Sequence, residues 1–368
     1  MGKQKSVIWI IIFLLITIFP WGLYALMGEH LESVEHENRK LEEKPVISKD
    51  NYEKFPQMYE SYFNDNIPFR NQLVEINGAI DYFLFHQSST DRVCIGQNGW
   101  LFYCDNEDFN PIEQSLGYWY FTEDELKQIA DNLKVAEQVL SSKDIEFVLF
   151  IVPNKETIYK EELPEYYVSK SQYTVVDQLI DYLNENTNIR IVYPKEEMLC
   201  IKEEYSDIPL YYKIDTHWNN AGAYVGAVSL AKELGIELPP FSELDLKARG
   251  VITGDLAKML NISIPNGDIG YDISWGETIE LEEKKWEFSK EFIYHVPYSN
   301  HKTLVVRRDS FSTALAPIIA TQFEDSIWIH MWEFKPQQIF DNNADVFVFE
   351  TAERYVEKLL DFQIIEEK

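Results

Sequence analysis

An α/β layered fold with a mainly parallel sheet, placed after an N-terminal transmembrane helix, is what this sequence predicts, and three observations carry it. Residues 7–27 are almost unbroken apolar, and about 20 such residues span the roughly 30 Å hydrocarbon core of a bilayer. Residues 147–152 (Phe-Val-Leu-Phe-Ile-Val) form a continuous apolar run ended by Pro153, the pattern of a strand covered on both faces. From there onward strand-length apolar runs alternate with helix-length amphipathic ones, the order that builds parallel sheets with helical crossovers. The expected layout is a signal-anchor at 1–28, a helical stalk and N-terminal helices at 29–90, and an α/β domain at 91–368.

The elements follow in chain order. Lys3 and Lys5 precede the apolar run, and Glu29, Glu32 and Glu35 follow it. Positive residues favour the cytoplasmic side, so the N-terminus is expected inside and the rest exported, single-pass at the cell membrane. A cleaved signal peptide is the alternative; the run exceeds a typical h-region of ~7–15 residues and no A-x-A-like site follows, so an uncleaved anchor is expected. Residues 29–45 are charged and helix-compatible up to Pro45, and read as a stalk. A helical rhythm runs through 52–85, broken by Asn64-Asp65-Asn66-Ile67-Pro68, where Asp65 or Asn66 is expected to cap a second helix with Pro68 in its first turn. Strands at 93–95 and 100–103 flank Asn98-Gly99, a hairpin signal with Trp100 as a core aromatic. Thr122-Glu123-Asp124-Glu125 is a capping box opening a helix to about Leu140. After the 147–152 strand come a helix at about 173–184, a strand at 189–193 and a helix at 221–234. Residues 235–300 read as an irregular, aromatic-rich insertion with short strands. The strands 303–306, 327–331 and 346–350 then alternate with helices to about Ala320, near 336–339, and from Glu353.

The chain carries 33 basic and 62 acidic residues, a net charge of −29. That balance argues against nucleic acid as a partner and against polyanion binding by bulk charge, although screening beyond ~8 Å leaves room for a local polyanion site. Three cysteines make no disulfide framework. With a two-residue loop at Asn98-Gly99, Cys94 would face Tyr103 and the thiols of Cys94 and Cys104 would lie on opposite faces; only a one-residue register shift would let them pair. No CxxC or HExxH is present and the seven histidines are scattered, so neither a metal nor a cofactor is expected.

In open α/β sheets, active residues gather at the C-terminal ends of strands. Pro153-Asn154-Lys155, Asp215-Thr216-His217-Trp218 and Asp309-Ser310 fit that rule. A serine at a strand-to-helix turn sits where backbone N–H groups can stabilise an oxyanion. A histidine two residues after an aspartate can act as a base that the aspartate orients. Each feature also has a plain structural reading. A serine before a helix is commonly an N-cap, Gly254-Asp255 is a turn as readily as part of a substrate groove, and Asp65 to Phe69 reads as a helix entry. His330, inside an apolar strand, reads as a satisfied core histidine. The acidic bias reads as a solvated surface.

Six short motifs, in order, weight the choice. They are Tyr62-Phe63-Asn64-Asp65-Asn66-Ile67-Pro68-Phe69-Arg70, Gly96-Gln97-Asn98-Gly99-Trp100-Leu101-Phe102-Tyr103, Val152-Pro153-Asn154-Lys155-Glu156-Thr157-Ile158-Tyr159, Asp215-Thr216-His217-Trp218-Asn219, Gly254-Asp255-Leu256-Ala257 and Arg308-Asp309-Ser310-Phe311-Ser312. Through them, from about residue 38 to 356, the chain resembles the alginate O-acetyltransferase AlgX/AlgJ-type family of SGNH-hydrolase-like proteins. The resemblance implies a three-layer SGNH-hydrolase-like catalytic domain with Ser310 as nucleophile, His217 as general base and Asp215 orienting it. Ordinary SGNH hydrolases place the serine early and the histidine late; here the order is reversed, which looks like the family's circular permutation. Residues 305–310 would then be the first strand and its nucleophile, with 327–331 and 346–350 the next two. The oxyanion glycine and asparagine of ordinary members are not evident, Arg308 stands where a glycine is common, and Thr351 and Arg354 lie near a strand end.

The function so implied is transfer of acetyl groups onto sugar hydroxyls of an exported or cell-surface polysaccharide through an acetyl-serine. A membrane-bound O-acyltransferase partner would supply the acetyl groups. Trp218, Asn154, Lys155, Asp255 and Arg354 are the expected substrate-binding residues, and Trp218, Phe311, Tyr211 and Tyr212 supply rings for stacking on sugars. Two other readings compete. One is an extracytoplasmic carbohydrate esterase using the same triad toward water; the other is a non-catalytic polysaccharide-binding scaffold, against which all three triad residue types stand in place.

Overall fold

A computed structural model describes residues 2–27, 41–106, 110–251, 253–265, 267–276, 279–297 and 300–364. The chain forms two compact units, residues 1–90 with 257–263, and residues 91–256 with 264–368.

In the first unit the apolar N-terminal run forms helix α1 (Gly2–Met27). Its stretch Val7–Tyr24 has a mean hydropathy of 2.4 and buries none of its side chains within the protein, so it is long and apolar enough to cross a membrane. Of the expected stalk, residues 29–40 lie outside the described residues. Helices α2 (Phe55–Asp65) and α3 (Arg70–Ala79) follow, the latter continued by a π-helical turn, Ile80–Phe85. The cap expected at Asp65 or Asn66 is not made. Phe69, in the left-handed region at φ 60°, precedes α3 without a side-chain cap. The Asp65 carboxylate instead accepts the Glu42 N–H at 2.9 Å, tying an upstream segment down. Gly78 lies on the face of α3 that meets the backbone near Leu260. A Cβ there would stand 2.3 Å from the Leu260 carbonyl oxygen, so this approach requires glycine.

The second unit opens with a hairpin, β1 (Val93–Ile95) and β2 (Leu101–Tyr103). Its register differs from the one expected. Trp100 N–H donates to Gln97 C=O and closes the turn, with Asn98 and Gly99 both at positive φ. Gly96 N–H also donates to Trp100 C=O, while Gln97 N–H turns away to Glu162. Two residues thus face one, a bulge that shifts the register by one. Cys94 pairs with Phe102 rather than Tyr103, and the thiols of Cys94 and Cys104 come to the same face, both free. A hydrogen bond from Cys104 draws the Cys94 thiol down to about 7.

The remaining helices are α4 (Pro111–Ser115), α5 (Glu123–Ser141), α6 (Lys155–Ile158), α7 (Val175–Asn186), α8 (Lys195–Glu204), α9 (Asn220–Glu233), α10 (Asp255–Met259), α11 (Ser312–Ile319) and α12 (Gln337–Asp341). The strands are β3 (Glu146–Val152), β4 (Arg190–Val192), β5 (Asp245–Val251), β6 (Asp268–Ser274), β7 (Glu282–Trp286), β8 (Glu291–His295), β9 (Thr303–Arg308), β10 (Asp325–His330) and β11 (Val346–Ala352). Helix α5 begins at the Thr122/Glu125 capping box, and α7 at a second one, Thr174/Asp177. A 3₁₀ helix, Glu353–Leu360, takes the place of the expected final α-helix.

The main sheet runs in the order β4-β3-β11-β9-β10-β8-β7. The pairings from β4 through β10 are parallel. Beyond them β8 and β7 add an antiparallel edge. Residues 235–300 are therefore more regular than expected, since β5 and β6 also pair as a separate ribbon. The central strands are buried on both faces, and their alternate residues enter two different cores. Val148, Phe150, Leu304, Val306 and Val348 pack with residues of α9 and α11. Phe147, Leu149, Val305, Phe347 and Phe349 pack with α5, α7 and the final 3₁₀ helix. Three layers result, and each Val, Leu or Phe so buried contributes about 1.5–3 kcal/mol. The parallel strands all end on one edge, where Asn154, Ser310 and Glu353 begin the next segments.

Candidate active site

The segment between α8 and α9 is pinched into a narrow loop. Tyr211 and Trp218 form a β-bridge, Asn219 N–H donates to Leu210 C=O at 3.0 Å and Tyr212 N–H to His217 C=O at 3.2 Å. Asn219 then caps α9, its side-chain oxygen accepting the N–H groups of Ala221 and Gly222. The Trp218 ring is buried and its indole N–H donates to Phe311 C=O at 2.9 Å, fastening the loop to the turn after β9. Asp215, Thr216 and His217 form the tip.

Beneath the tip lies Lys155, the first residue of α6, fully buried. Its ammonium donates to three backbone carbonyls of the loop, those of Tyr212 and Lys213 at 3.2 Å and Asp215 at 2.7 Å. Trp100 and Phe102 offer their ring faces from the hairpin. Burial pulls this ammonium down to about 8. Expected as a substrate ligand, Lys155 instead spends all three donors inside the protein.

Ser310 stands in the turn between β9 and α11. Its predecessor Asp309 is buried and accepts the N–H groups of Phe311 at 2.9 Å and Ala352 at 2.6 Å. The Asp309 N–H donates to the Glu350 carboxyl at 2.6 Å. Burial, and then the charge of Asp309, hold Glu350 well above the usual carboxylate range, which favours its protonated form. Arg308, which stands where a glycine is common, buries its guanidinium 3.8 Å from the Phe292 ring centroid and donates to the carbonyls of Phe288 and Asp309.

These two segments meet. His217 Nε2 lies 2.7 Å from Ser310 Oγ, and His217 Nδ1 lies 2.7 Å from Asp215 Oδ1. The same aspartate oxygen accepts the His217 backbone N–H, and its other oxygen accepts the N–H of Asp255. Burial opposes the imidazolium, but the charge and hydrogen bond of Asp215 outweigh it and hold His217 above its ordinary value. Burial likewise opposes the Asp215 carboxylate, yet His217 and the surrounding N–H groups hold it well below the usual range.

Asp255 belongs to this network. It accepts from Thr216 N–H at 2.7 Å and from Thr216 Oγ1 at 2.5 Å, and its carboxylate lies 3.6 Å from His217 Nδ1. Burial and the Asp215 charge raise its pKa. Gly254 permits this approach, since a Cβ there would fall 2.1 Å from the Ile214 carbonyl oxygen. Ligand atoms of Asp215, His217 and Asp255 lie within 4.8 Å of one another. A cation held there would have to replace the hydrogen bonds just described.

The other expected substrate residues are placed less directly. Asn154 is buried, its oxygen accepting the Arg354 N–H at 3.4 Å. The Arg354 guanidinium is buried with its centre 5.4 Å from the Phe311 ring centroid. A cavity of ≈290 Å³ opens over Ser310 and His217, and its wall includes Tyr212, Arg249, Phe288 and Thr313. Trp218 and Phe311 also border this cavity, but each is only 1% exposed, while Tyr211 is fully buried and does not line it. Sequence reasoning missed Arg249 and Phe288. Phe288 is 49% exposed, and the density of rings at Trp286 and Phe288 was its only signal. Arg249 pairs with Asp272 at 3.0 Å across the β5–β6 ribbon and carried none.

Residues 93–263 match the family model described as SGNH hydrolase-like domain, acetyltransferase AlgX; the match ends before Ser310. The probable alginate O-acetylase AlgJ of Pseudomonas aeruginosa is 24% identical over 204 residues, covering 54% of this chain and 46% of that protein. Its counterpart in Pseudomonas fluorescens is 24% identical over 183 residues, covering 49% and 42%. The chain thus spans less than half the length of the curated relatives it matches. Among solved structures, PatB1 of Bacillus cereus superposes with a TM-score of 0.54 at 16% identity, covering 74% of this chain and all of that one. That likeness speaks for the fold alone; the domain match over residues 93–263 and the curated AlgJ relatives are what relate the chain to the AlgX/AlgJ-type family of SGNH hydrolase-like proteins.

Proposed function

We propose that the chain is a membrane-anchored O-acetyltransferase that works outside the cell membrane, moving acetyl groups onto sugar hydroxyls of an exported or cell-surface polysaccharide. The observation that carries this reading is the unbroken hydrogen-bond chain from Asp215 through His217 to Ser310 at the C-terminal edge of parallel strands. A serine hydroxyl is a weak nucleophile until a base takes its proton, and His217 Nε2 is within reach of it. In the first half-reaction Ser310 Oγ attacks the donor's acetyl carbon while His217 takes the hydroxyl proton. The bond to the leaving group breaks, that group leaves with the proton, and an acetyl ester forms on Ser310. In the second, His217 deprotonates a sugar hydroxyl, the resulting nucleophile attacks the ester, and the proton returns to Ser310. The Ser310 backbone N–H, beside the start of α11, is the proposed oxyanion donor. Tyr212 and Phe288, partly exposed on the cavity wall, are the proposed platforms for the acceptor ring. A membrane-bound O-acyltransferase is the proposed source of acetyl groups.

The test uses the purified full chain, an activated acetyl ester and a panel of oligosaccharides. The wild type should yield acetylated sugar and one added acetyl group on the peptide containing Ser310, and Ser310→Ala should yield neither. A folded Ser310→Ala that still acetylates sugar at the wild-type rate would overturn the assignment. Free acetate alone, across the whole panel, would identify an esterase instead.

A further inference from the structure

The first unit carries an apolar surface that the proposed chemistry does not use. Along α3 and its π-helical continuation, Leu73, Ile76, Ile80, Phe83 and Leu84 are 56%, 56%, 44%, 47% and 68% exposed. Their spacing of three, four, three and one sets them on one side of the helix. Gly78, which packs on the backbone near Leu260, lies about half a turn away. On the packed side Glu75 accepts from Ser263 Oγ at 3.1 Å. The helix therefore turns an apolar stripe outward and not toward the protein.

The start of this helix is tied to the membrane-length helix α1. Trp21 stacks on Phe63 with ring centroids 5.7 Å apart, and Tyr24 meets Phe69 edge-on at 5.5 Å. Trp21 and Tyr24 lie near the C-terminal end of α1, where aromatic side chains settle at the membrane–water interface. Phe69 immediately precedes α3 and Leu73 is one turn further on. The apolar stripe thus begins at the level at which α1 leaves the bilayer.

We propose that α3 and its continuation lie along the outer surface of the bilayer, with this stripe sunk into the boundary between headgroups and acyl chains. Such placement is the way an amphipathic helix binds in the interface plane. A helix rising away from the membrane would carry the same side chains into water. Residues 41–90 hold more acidic than basic side chains, so insertion is driven by apolar area and is independent of anionic lipid. The inference rests on the proposed reading of α1 as a membrane anchor.

The test labels single cysteines with an environment-sensitive fluorophore in the full chain, with Cys200→Ser removing the exposed native thiol. The protein is reconstituted in phosphatidylcholine vesicles with or without phosphatidylglycerol. Ile12→Cys reports the anchor, Ile76→Cys and Leu84→Cys report the stripe, and Val168→Cys serves as the water-exposed control. Expected is strong quenching of the Ile12, Ile76 and Leu84 labels by nitroxide-bearing lipid, several-fold above Val168 and unchanged by phosphatidylglycerol. The stripe labels should respond most to a nitroxide near the glycerol carbonyls. Stripe labels that behave like Val168 while Ile12 stays lipid-quenched would overturn the inference and leave the anchor standing. Stripe labels shielded from both aqueous iodide and lipid nitroxide would overturn it too, because protein then covers the stripe. Iodide quenching at Ile12 would mean that the anchor reading itself had failed.

Discussion

His217 must act as a base beside an aspartate that favours its protonated form. Asp215 holds the imidazole above its ordinary value, so neutral His217 becomes abundant only at a higher pH than for a free side chain, whose pKa is ~6.5. The acid limb of kcat/KM for an acetyl ester should therefore have its midpoint above that value. Asp215→Asn should move the limb down and reduce turnover by about four orders of magnitude through loss of the correct tautomer; a limb unmoved by Asp215→Asn would exclude His217 as the titrating base. The same shifts bear on stability. His217, raised, stabilises fully below ~6.5 and loses that contribution as pH climbs through its folded value, whereas Asp215, depressed, stabilises above ~3.9 and loses it as pH falls through its own. Lys155 gives a second prediction at this scale. Removing its ammonium leaves three inward carbonyls of the loop without their donor, and each buried unsatisfied group costs about 1–3 kcal/mol. Lys155→Met should lower the melting temperature and kcat together while leaving the KM for acceptor sugar nearly unchanged. A rise in acceptor KM alone would return Lys155 to substrate binding, the role its sequence position suggested.

Strand β11 holds the Ser310 turn from the side, through the contact of Glu350 with Asp309. Burial and the facing Asp309 favour the protonated form of Glu350, so an amide of the same shape is expected to replace it. Glu350→Gln should preserve acetyl-enzyme formation. It should also flatten the pH dependence of melting above ~4.3, where the native state of the parent holds a proton that the unfolded chain releases. Glu350→Leu should slow acylation and destabilise by about 1–3 kcal/mol, because the Asp309 N–H loses its acceptor. Equal damage from both variants would mean that an ionised Glu350 is required. How far these elements could be read from sequence depends on the signal each one leaves. Strands β3, β9 and β11 were legible because parallel strands buried on both faces read as continuous apolar runs. Strand β7, Glu-Glu-Lys-Lys-Trp, was not legible, since at the antiparallel edge its charged side chains face water. The hairpin was predicted but its register was not, because a bulge at Gly96-Gln97 leaves no mark distinct from the turn itself. Asp215 and His217 lay two residues apart and could be paired on sight. Ser310, 93 residues beyond His217, needed the resemblance to join them. Asp255 reaches the pair through Thr216 and its own N–H, 40 residues from Asp215, a closure that composition does not encode. Lys155 was given to the substrate because it follows the end of a parallel strand, whereas its burial gives it to the loop.

At the scale of the whole molecule, the proposed reading rests on charge and apolar length for which side of the membrane the chemistry faces. Only Lys3 and Lys5 precede the apolar stretch, and acids follow it directly at Glu29, Glu32 and Glu35. Basic residues beside a span are retained on the cytoplasmic side, while acidic ones have little say. On the proposed reading the two lysines hold the N-terminus inside and set everything beyond residue 28 outside, where an exported polysaccharide would be available. Pro20 does not argue against the span: a proline inside a membrane helix is tolerated because neighbouring groups meet the backbone it frees. The expectation is that protease added to intact spheroplasts removes the acidic bulk of the chain and leaves a short membrane-bound N-terminal fragment. The same protease should leave a cytoplasmic marker whole. Adding two or more lysines directly after residue 28 should weaken that outcome, since it cancels the basic asymmetry without touching the catalytic residues. Full protection of residues 50–368 in intact spheroplasts, with digestion only after lysis, would place the domain in the cytoplasm. The acceptor would then have to be a precursor made before export.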